Sequence, residues 1–169
     1  MNIPNTAPQS GQSWKPPPSS LYKLNFDAAI FDGIQSLGFR AIIGNSAGEV
    51  MAAMSVKGPS ISCNEEAKAW ACRKALEFAV ESGFTEMIIE GDNVAVMKAV
   101  ASTSGDLSLL GHVYEDIKSS IRGLHFADIS CVRRGGNKVA HILAQYARNI
   151  DNELYWMEDP PPPVIEALY

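Results

Sequence analysis

The stretch that decides the fold is residues 21–30, LYKLNFDAAI, which carries a single carboxylate, Asp27. Apolar and polar side chains alternate along it, which predicts a strand with one apolar face and one face that presents Lys23, Asn25 and Asp27. A second apolar run, residues 87–91, leads directly to Asp92. A carboxylate in a central strand and another at the end of a strand can together build a divalent-metal site for phosphate chemistry.

The pattern around this stretch predicts hairpins followed by alternating helices and strands. Strands are expected at 21–31, 37–44, 49–57, 84–90 and 124–132, and helices at 64–82, 93–103, 108–122 and 138–149. Residues 62–65, SCNE, match a capping box at the start of the first helix, and Gly83 ends that helix. The order βββαβααβα implies an α/β fold in which helices flank a mixed sheet.

Composition argues against several classes of protein. A formal net charge of −5 and a pI near 5.2 argue against a general nucleic-acid binder held by bulk electrostatics. Three cysteines without metal-ligand spacing favour reduced thiols in a nuclear or cytoplasmic setting. The polar N-terminus lacks the apolar core of a signal peptide, and no apolar run is long enough to cross a membrane. We therefore expect an intracellular protein that is neither secreted nor bound to a membrane.

The 169 residues are expected to form one domain with two tails, and the chain to be a monomer. Residues 1–20 are rich in Pro, Ser, Gln and Asn and are predicted to be a disordered linker. Residues 21–150 form the domain, and residues 151–169 form a proline-rich tail. The run 159–163, DPPPP, is expected to adopt polyproline II conformation, either as a stiff tail or as a ligand for a protein partner.

Four motifs, in this order and at this spacing, resemble the plant reverse-transcriptase-like branch of the ribonuclease H (RNase H) type 1 family. They are KLNFDAA at 23–29, EAKAWACRKAL at 66–76, IEGD at 89–92 and RGGNKVAHILA at 134–144. The resemblance covers about residues 21–150. It implies an RNase H-like five-stranded mixed sheet, with three antiparallel strands followed by alternating strands and helices. It also implies a retrotransposon-derived domain whose family cleaves the RNA strand of an RNA–DNA hybrid with Mg²⁺.

The same resemblance implies the site residues. The family chemistry needs clustered carboxylates that hold two divalent cations, and Asp27 and Asp92 match two of the four acidic positions. The position of the family Glu, eight residues before Leu76, holds Lys68. The position of the last Asp holds His141, which related plant sequences often carry as well. We therefore predict a degraded metal site with Asp27 and Asp92 as its remaining ligands, and weak or absent cleavage.

Each of these residues has a simpler interpretation. Asp27 could be a solvated residue on the polar face of its strand, and Asp92 could cap the helix that follows it. Glu65 fits the capping box, and either Glu65 or Glu66 could replace the missing Glu after a one-turn slip. Lys68 could extend along the edge of the core-facing helix row to reach water. Alternatively, its ammonium could lie between Asp27 and Asp92 and neutralise them.

The best local basic patch contains Arg133, Arg134 and Lys138, and Asn137 beside them is a further candidate contact for nucleic acid. The patch is either a solvated turn or a contact for backbone phosphates of RNA or of an RNA–DNA hybrid. Trp70 is expected in the core or at its rim rather than as a platform for base stacking. Three functions remain open: a nucleic-acid-binding relative with impaired catalysis, an active hybrid endoribonuclease, and a protein-interaction scaffold with a proline-rich tail.

Overall fold

The computed structural model describes residues 15–31, 36–61, 63–103, 105, 109–132 and 154–157. They form a mixed sheet with the strand order β5-β4-β1-β2-β3-β6, and three helices pack with it. The elements are β1 Tyr22–Phe31, β2 Ser36–Gly44, β3 Val50–Gly58, α1 Asn64–Glu81, β4 Glu86–Gly91, α2 Val94–Ala101, α3 Gly111–Arg122, β5 Phe126–Cys131 and β6 Leu154–Met157.

The sheet combines an antiparallel half with a parallel half. β1, β2 and β3 pair antiparallel in sequence order, whereas β1 pairs parallel with β4, and β4 pairs parallel with β5. The five predicted strands and the mixed α/β sheet are therefore confirmed, as are the first three predicted helices. The fourth predicted helix, at 138–149, lies outside the described residues.

A sixth strand extends the predicted sheet. β6 pairs antiparallel with β3, from Ser55 opposite Leu154 to Ala52 opposite Met157. These four residues were expected in the proline-rich tail, because so short a run shows no periodicity of its own. The edge of β3 supplies the backbone partner that lets this short run form a strand. The proline run at 159–163 lies outside the described residues.

The core lies on the face of the sheet that α1 covers. Leu24 and Phe26 of β1 pack there with a row of small α1 side chains that includes Ala75 and Ala79. Small residues let the helix lie close to the strands. The backbone at the end of β4 also comes close, because a Cβ at Gly91 would lie 2.6 Å from Cζ of Phe26. Gly91 therefore permits the tight packing immediately before Asp92.

The other face of the sheet carries polar side chains that are nevertheless buried. Lys23 forms an ion pair with Glu90 at 3.2 Å, and Asn25 Nδ2 donates to Glu90 Oε1 at 3.0 Å. Arg40 of β2 is the cross-strand neighbour of Asp27 and is fully buried. Burial of charged groups is costly unless they are paired, and the contacts of Glu90 with Lys23 and Asn25 pair the charges on this part of the face.

Candidate functional site

Asp27 lies on the buried polar face, near the centre of the sheet. The residue is 1% exposed, and its Oδ1 accepts a hydrogen bond from the backbone N–H of Ala28 at 2.8 Å. The interpretation of Asp27 as a solvated residue is therefore wrong. Strand alternation sets the face correctly, but burial of that face depends on neighbouring elements that the alternation does not report.

Asp92 lies beside Asp27 because of the parallel register between β1 and β4. Asn25 of β1 pairs with Glu90 of β4. Asp27 lies two residues after Asn25, and Asp92 lies two residues after Glu90, so both lie toward the same edge of the sheet. Asp92 does not cap α2. The N-cap is Asn93, whose Oδ1 accepts from the backbone N–H of Val96 at 3.0 Å. The capping interpretation of Asp92 is wrong because its neighbour takes that role.

Lys68, from α1, joins the two carboxylates. Its Nζ lies 3.2 Å from Oδ1 of Asp27 and donates a hydrogen bond to Oδ1 of Asp92. The Lys68 side chain is only 12% exposed. It therefore does not extend to water, and the alternative position of its ammonium, between the two carboxylates, is confirmed. We call Asp27, Lys68 and Asp92 the central cluster.

The electrostatics of the central cluster keep Lys68 charged. Burial acts to lower the pKa of Lys68, but the charge of Asp27 and the hydrogen bond and charge of Asp92 outweigh it, so the pKa is raised. A charged Lys is a donor with no lone pair to offer a metal ion. The central cluster is thus an internally paired set of charges.

Arg40 adds a second buried cation beside Asp27. Burial holds the pKa of Arg40 well below its ordinary value, while the charge of Asp27 acts in the opposite direction. Its Nη1 donates to the carbonyl of Phe39, whereas Nε and Nη2 have no hydrogen-bond partner in the described part of the protein. Arg40 was not predicted as a site residue. Its signal was the position of Arg40 opposite Asp27 in the first hairpin.

The acidic residues at the start of α1 do not complete a metal site. The N-cap of α1 is Cys63, which makes no side-chain cap, so the predicted capping box is not observed for Glu65. Ser62 lies outside the described residues. Glu65 Oε1 instead accepts from the Tyr114 hydroxyl at 3.1 Å and links α1 to α3. Across the described ranges, no three His, Cys, Asp or Glu side chains group in a way that could hold a metal.

Several predicted site residues are not described. His141, Arg133, Arg134, Asn137 and Lys138 lie in the 133–153 segment, outside the described residues, so their roles stay predictions.

Trp70 is half-buried at the rim of the core, as predicted. Arg73 lies over its ring, 5.1 Å from the ring centroid, and His112 packs edge-on at 6.3 Å.

None of the helices in the described segments is long and apolar enough to cross a membrane.

Comparison with known proteins agrees with this architecture. The family described as Reverse transcriptase-like matches residues 25–147. No curated protein matches the chain. The solved structures that resemble it include RNase H1 from the archaeon Halobacterium salinarum NRC-1, with 21% identity and a TM-score of 0.68 over 76% of this chain and 97% of the other.

Two further structures show the same fold. The N-terminal RNase H domain of Rv2228c from Mycobacterium tuberculosis has 20% identity and a TM-score of 0.63, with 75% of this chain and 91% of the other covered. LC11-RNase H1, isolated from compost by a metagenomic approach, was solved in complex with an RNA/DNA hybrid. That structure has 15% identity and a TM-score of 0.63, with 74% and 94% covered.

Proposed function

Because the chain belongs to the reverse transcriptase-like family, we propose that it is an RNase H-like nucleic-acid-binding domain in which Lys68 replaces the metal ions and hydrolysis is weak or absent. The observation that carries this proposal is the contact of one ammonium with both Asp27 and Asp92. In the family, the position that Lys68 occupies here holds a Glu that binds metal. The change from Glu to Lys reverses the sign of the charge at this position.

The local charge balance supports the proposal. Asp27 and Asp92 contribute two negative charges, while Lys68 and the neighbouring Arg40 contribute two positive charges. The set is neutral without a metal ion. A Glu at position 68 would leave the set at −2, which is the charge that one divalent cation would balance. The native residues leave no such deficit.

The donor set does not fit a pair of Mg²⁺ ions. Mg²⁺ takes oxygen ligands in octahedral geometry, and the described residues offer two carboxylates that already contact an ammonium. Two positive unit charges 4 Å apart repel by about 4 kcal/mol at an effective dielectric constant of about 20. The repulsion between the Lys68 ammonium and a divalent cation at that distance would be about twice as large. A charged Lys68 in its present place therefore opposes metal binding directly.

Binding of nucleic acid is supported by the family and by the fold. LC11-RNase H1, which has this fold, was solved with an RNA/DNA hybrid. With a net charge of −5, the present chain would depend on local basic contacts rather than on its total charge. The predicted basic patch of Arg133, Arg134 and Lys138, together with Asn137, would supply such contacts.

The test is cleavage and binding of one labelled RNA–DNA hybrid in millimolar Mg²⁺ or Mn²⁺. We expect the wild-type protein and Asp27→Asn to bind the hybrid, and both to cleave no faster than the background. Robust cleavage by the wild type that Asp27→Asn abolishes would restore the active endoribonuclease as the function. Failure of the wild type to bind the hybrid, RNA or DNA would favour the protein-interaction scaffold.

A further inference from the structure

Arg40 is a buried cation with most of its hydrogen-bonding capacity unused. The residue has no exposed surface, and its Nη1 donates to the carbonyl of Phe39. Nε and Nη2 have no hydrogen-bond partner among the residues that the structure describes. Buried donors without a partner lower the stability of a folded protein, and such donors are rare in native structures. Arg40 therefore holds two donors that a second arrangement of its neighbours could satisfy.

The two unused donors lie on one edge of the guanidinium. The N–H groups at Nε and Nη2 point in nearly the same direction, which is how arginine binds a carboxylate or a phosphate through two parallel hydrogen bonds. A single carbonyl or hydroxyl oxygen matches this edge less well than a pair of oxygens. Because the edge is buried, a carboxylate of the protein itself is the partner that it favours.

Asp27 is a carboxylate within reach of that edge. β1 and β2 pair Asp27 directly with Arg40, and the Cβ atoms of directly opposite residues lie about 4.5–5.5 Å apart on the same face of a sheet. Burial lowers the pKa of Arg40, and the charge of Asp27 acts in the opposite direction, so the two groups already interact. Rotation about side-chain torsions is enough to join them, since the strands already place both side chains side by side.

In the observed arrangement one cation holds both carboxylates. Lys68 Nζ lies 3.2 Å from Oδ1 of Asp27 and donates to Oδ1 of Asp92. An ammonium has three donors, so Lys68 keeps Asp92 when Asp27 is withdrawn. Transfer of Asp27 to Arg40 gives each carboxylate its own cation and satisfies the two unused donors.

Lys68 is the member of the central cluster that a ligand reaches first. Its side chain is 12% exposed, against 2% for Asp27 and 5% for Asp92. Withdrawal of Asp27 leaves this partly exposed ammonium with a donor that is no longer used. Phosphate oxygens accept hydrogen bonds from such donors, and lysine binds phosphate as a point charge.

We propose that Arg40 is a positioning residue for Lys68: it takes over Asp27 and so frees the Lys68 ammonium to contact one phosphate of bound nucleic acid. Asp92 stays with Lys68 and fixes the direction of its side chain. This inference rests on the proposed function, because it names the contact that the central cluster makes with the same ligand. Arg40 is fully buried, so it acts through Asp27 and does not touch the nucleic acid.

The first test follows the Nε–H signal of Arg40 in a proton–nitrogen NMR spectrum, with Arg40→Lys to assign it. We expect Lys68→Met to shift the signal downfield, as for a donor that gains a charged acceptor. Lys68→Met/Asp27→Ala should lack this shift, and Lys98→Met, which removes an exposed cation from α2, should leave the signal in place. Lys68→Gln, which is also uncharged, gives the same comparison if Lys68→Met does not fold.

Two results of this test would overturn the inference. One is a signal that stays in place when the charge of Lys68 is removed from the folded protein. The other is a shift of equal size after Asp27→Ala, which would show that a group other than Asp27 occupies the edge of Arg40.

The second test compares affinities for single-stranded RNA. We expect Lys68→Met to weaken binding about 5-fold and to lower the log–log salt slope by about 0.7, as for one lost phosphate contact. Lys98→Met removes the same charge and should change affinity less than about 2-fold. Arg40→Met should weaken binding of the wild type but have no further effect in Lys68→Met, because Arg40 acts through Lys68. Equal losses from the two lysine variants, or a further loss from Arg40→Met in Lys68→Met, would contradict the role of Arg40.

Addition of RNA to the wild type separates failure of this inference from failure of the proposed function. Binding at Lys68 should move the Arg40 signal in the direction that Lys68→Met moves it. If RNA binds and the signal stays in place, Arg40 does not position Lys68 and the proposed function stands. If neither RNA nor hybrid binds although Lys68→Met moves the signal, the proposed function and the phosphate contact fail, while the pairing of Asp27 with Arg40 stands.

Discussion

The Lys68 ammonium lies 3.2 Å from the Asp27 carboxylate, although one residue belongs to α1 and the other to the central strand β1. The contact joins the helix to the sheet through two opposite charges that are both largely buried. Asp92, at the end of β4, shares the same ammonium. The central cluster therefore links three elements of the fold. Substitution of any of its three residues is expected to lower the stability of the folded protein.

Lys68→Met should destabilise the fold. Removing one partner from a buried ion pair leaves an uncompensated charge and typically costs about 3–5 kcal/mol, and here two carboxylates lose their shared partner. The measurement is chemical denaturation at neutral pH. Lys98→Met is the matched control, because Lys98 is exposed on α2, and it should change stability by less than about 0.5 kcal/mol. Equal stability of the two variants would show that Lys68 contributes no more than a surface lysine.

Mg²⁺ should distinguish the wild type from Lys68→Glu. A ligand that binds only the folded state raises the melting temperature. We expect millimolar Mg²⁺ to leave the melting temperature of the wild type nearly unchanged and to raise that of Lys68→Glu by several degrees. A thermal melt with and without EDTA measures both. Strong stabilisation of the wild type by Mg²⁺, lost in Asp27→Asn, would contradict the replacement of metal by Lys68.

His141→Asp alone should restore little cleavage of an RNA–DNA hybrid. The change supplies the fourth family carboxylate but leaves Lys68 beside Asp27 and Asp92, so metal binding stays opposed. The single variant and Lys68→Glu/His141→Asp are compared under the same Mg²⁺ conditions. Greater activity is expected only in the double variant. A large gain from His141→Asp alone would mean that only this last position limited catalysis.

Arg133→Ala/Arg134→Ala should weaken binding of nucleic acid and reduce its dependence on salt. Each lost phosphate contact lowers the log–log slope by about 0.7–0.9, so two contacts lower it by about one to two units. Fluorescence anisotropy at several salt concentrations gives the slope. A slope equal to that of the wild type would remove both arginines from the interface.

The three cysteines should react in a fixed order. Burial raises the pKa of the Cys72 thiol, so this fully buried group stays protonated and inaccessible. Burial, followed by the charges of Asp92 and Glu90, raises the pKa of the exposed Cys131 thiol. Because the thiolate is the nucleophile, we expect Cys63 to react with a thiol reagent faster than Cys131, and Cys72 to react only after unfolding.

A variant of Asp92 tests the electrostatic cause of that order. Asp92→Asn removes one of the charges that disfavour the Cys131 thiolate, so the rate at Cys131 should rise while the rate at Cys63 stays the same. Rates resolved by mass spectrometry after timed quenching give the comparison. Reaction of Cys72 in the folded protein at the rate of Cys63 would contradict its burial.

The sequence predicted the strands well because alternation and turn residues are local signals. It also indicated that Lys68, Asp27 and Asp92 meet, since the family spacing aligns them. It did not predict that Asn93 rather than Asp92 caps α2, because two favourable capping residues stand side by side and only geometry selects one. The burial of Arg40 was not predicted either. The alternation of a strand shows which side chains share its polar face, but it does not show which other elements cover that face.

The pairing of β6 with β3 has a consequence for the solubility of shortened forms of this protein. In the described sheet, the four residues Leu154–Met157 pair with Ala52–Ser55 and cover the middle of the outer edge of β3. A chain that ends before Leu154 would expose a row of unpaired N–H and C=O groups along an apolar strand. Such an edge is a template for pairing with a second chain and promotes aggregation. The short strand β6 thus shields part of the β3 edge from self-association, a role unrelated to any ligand.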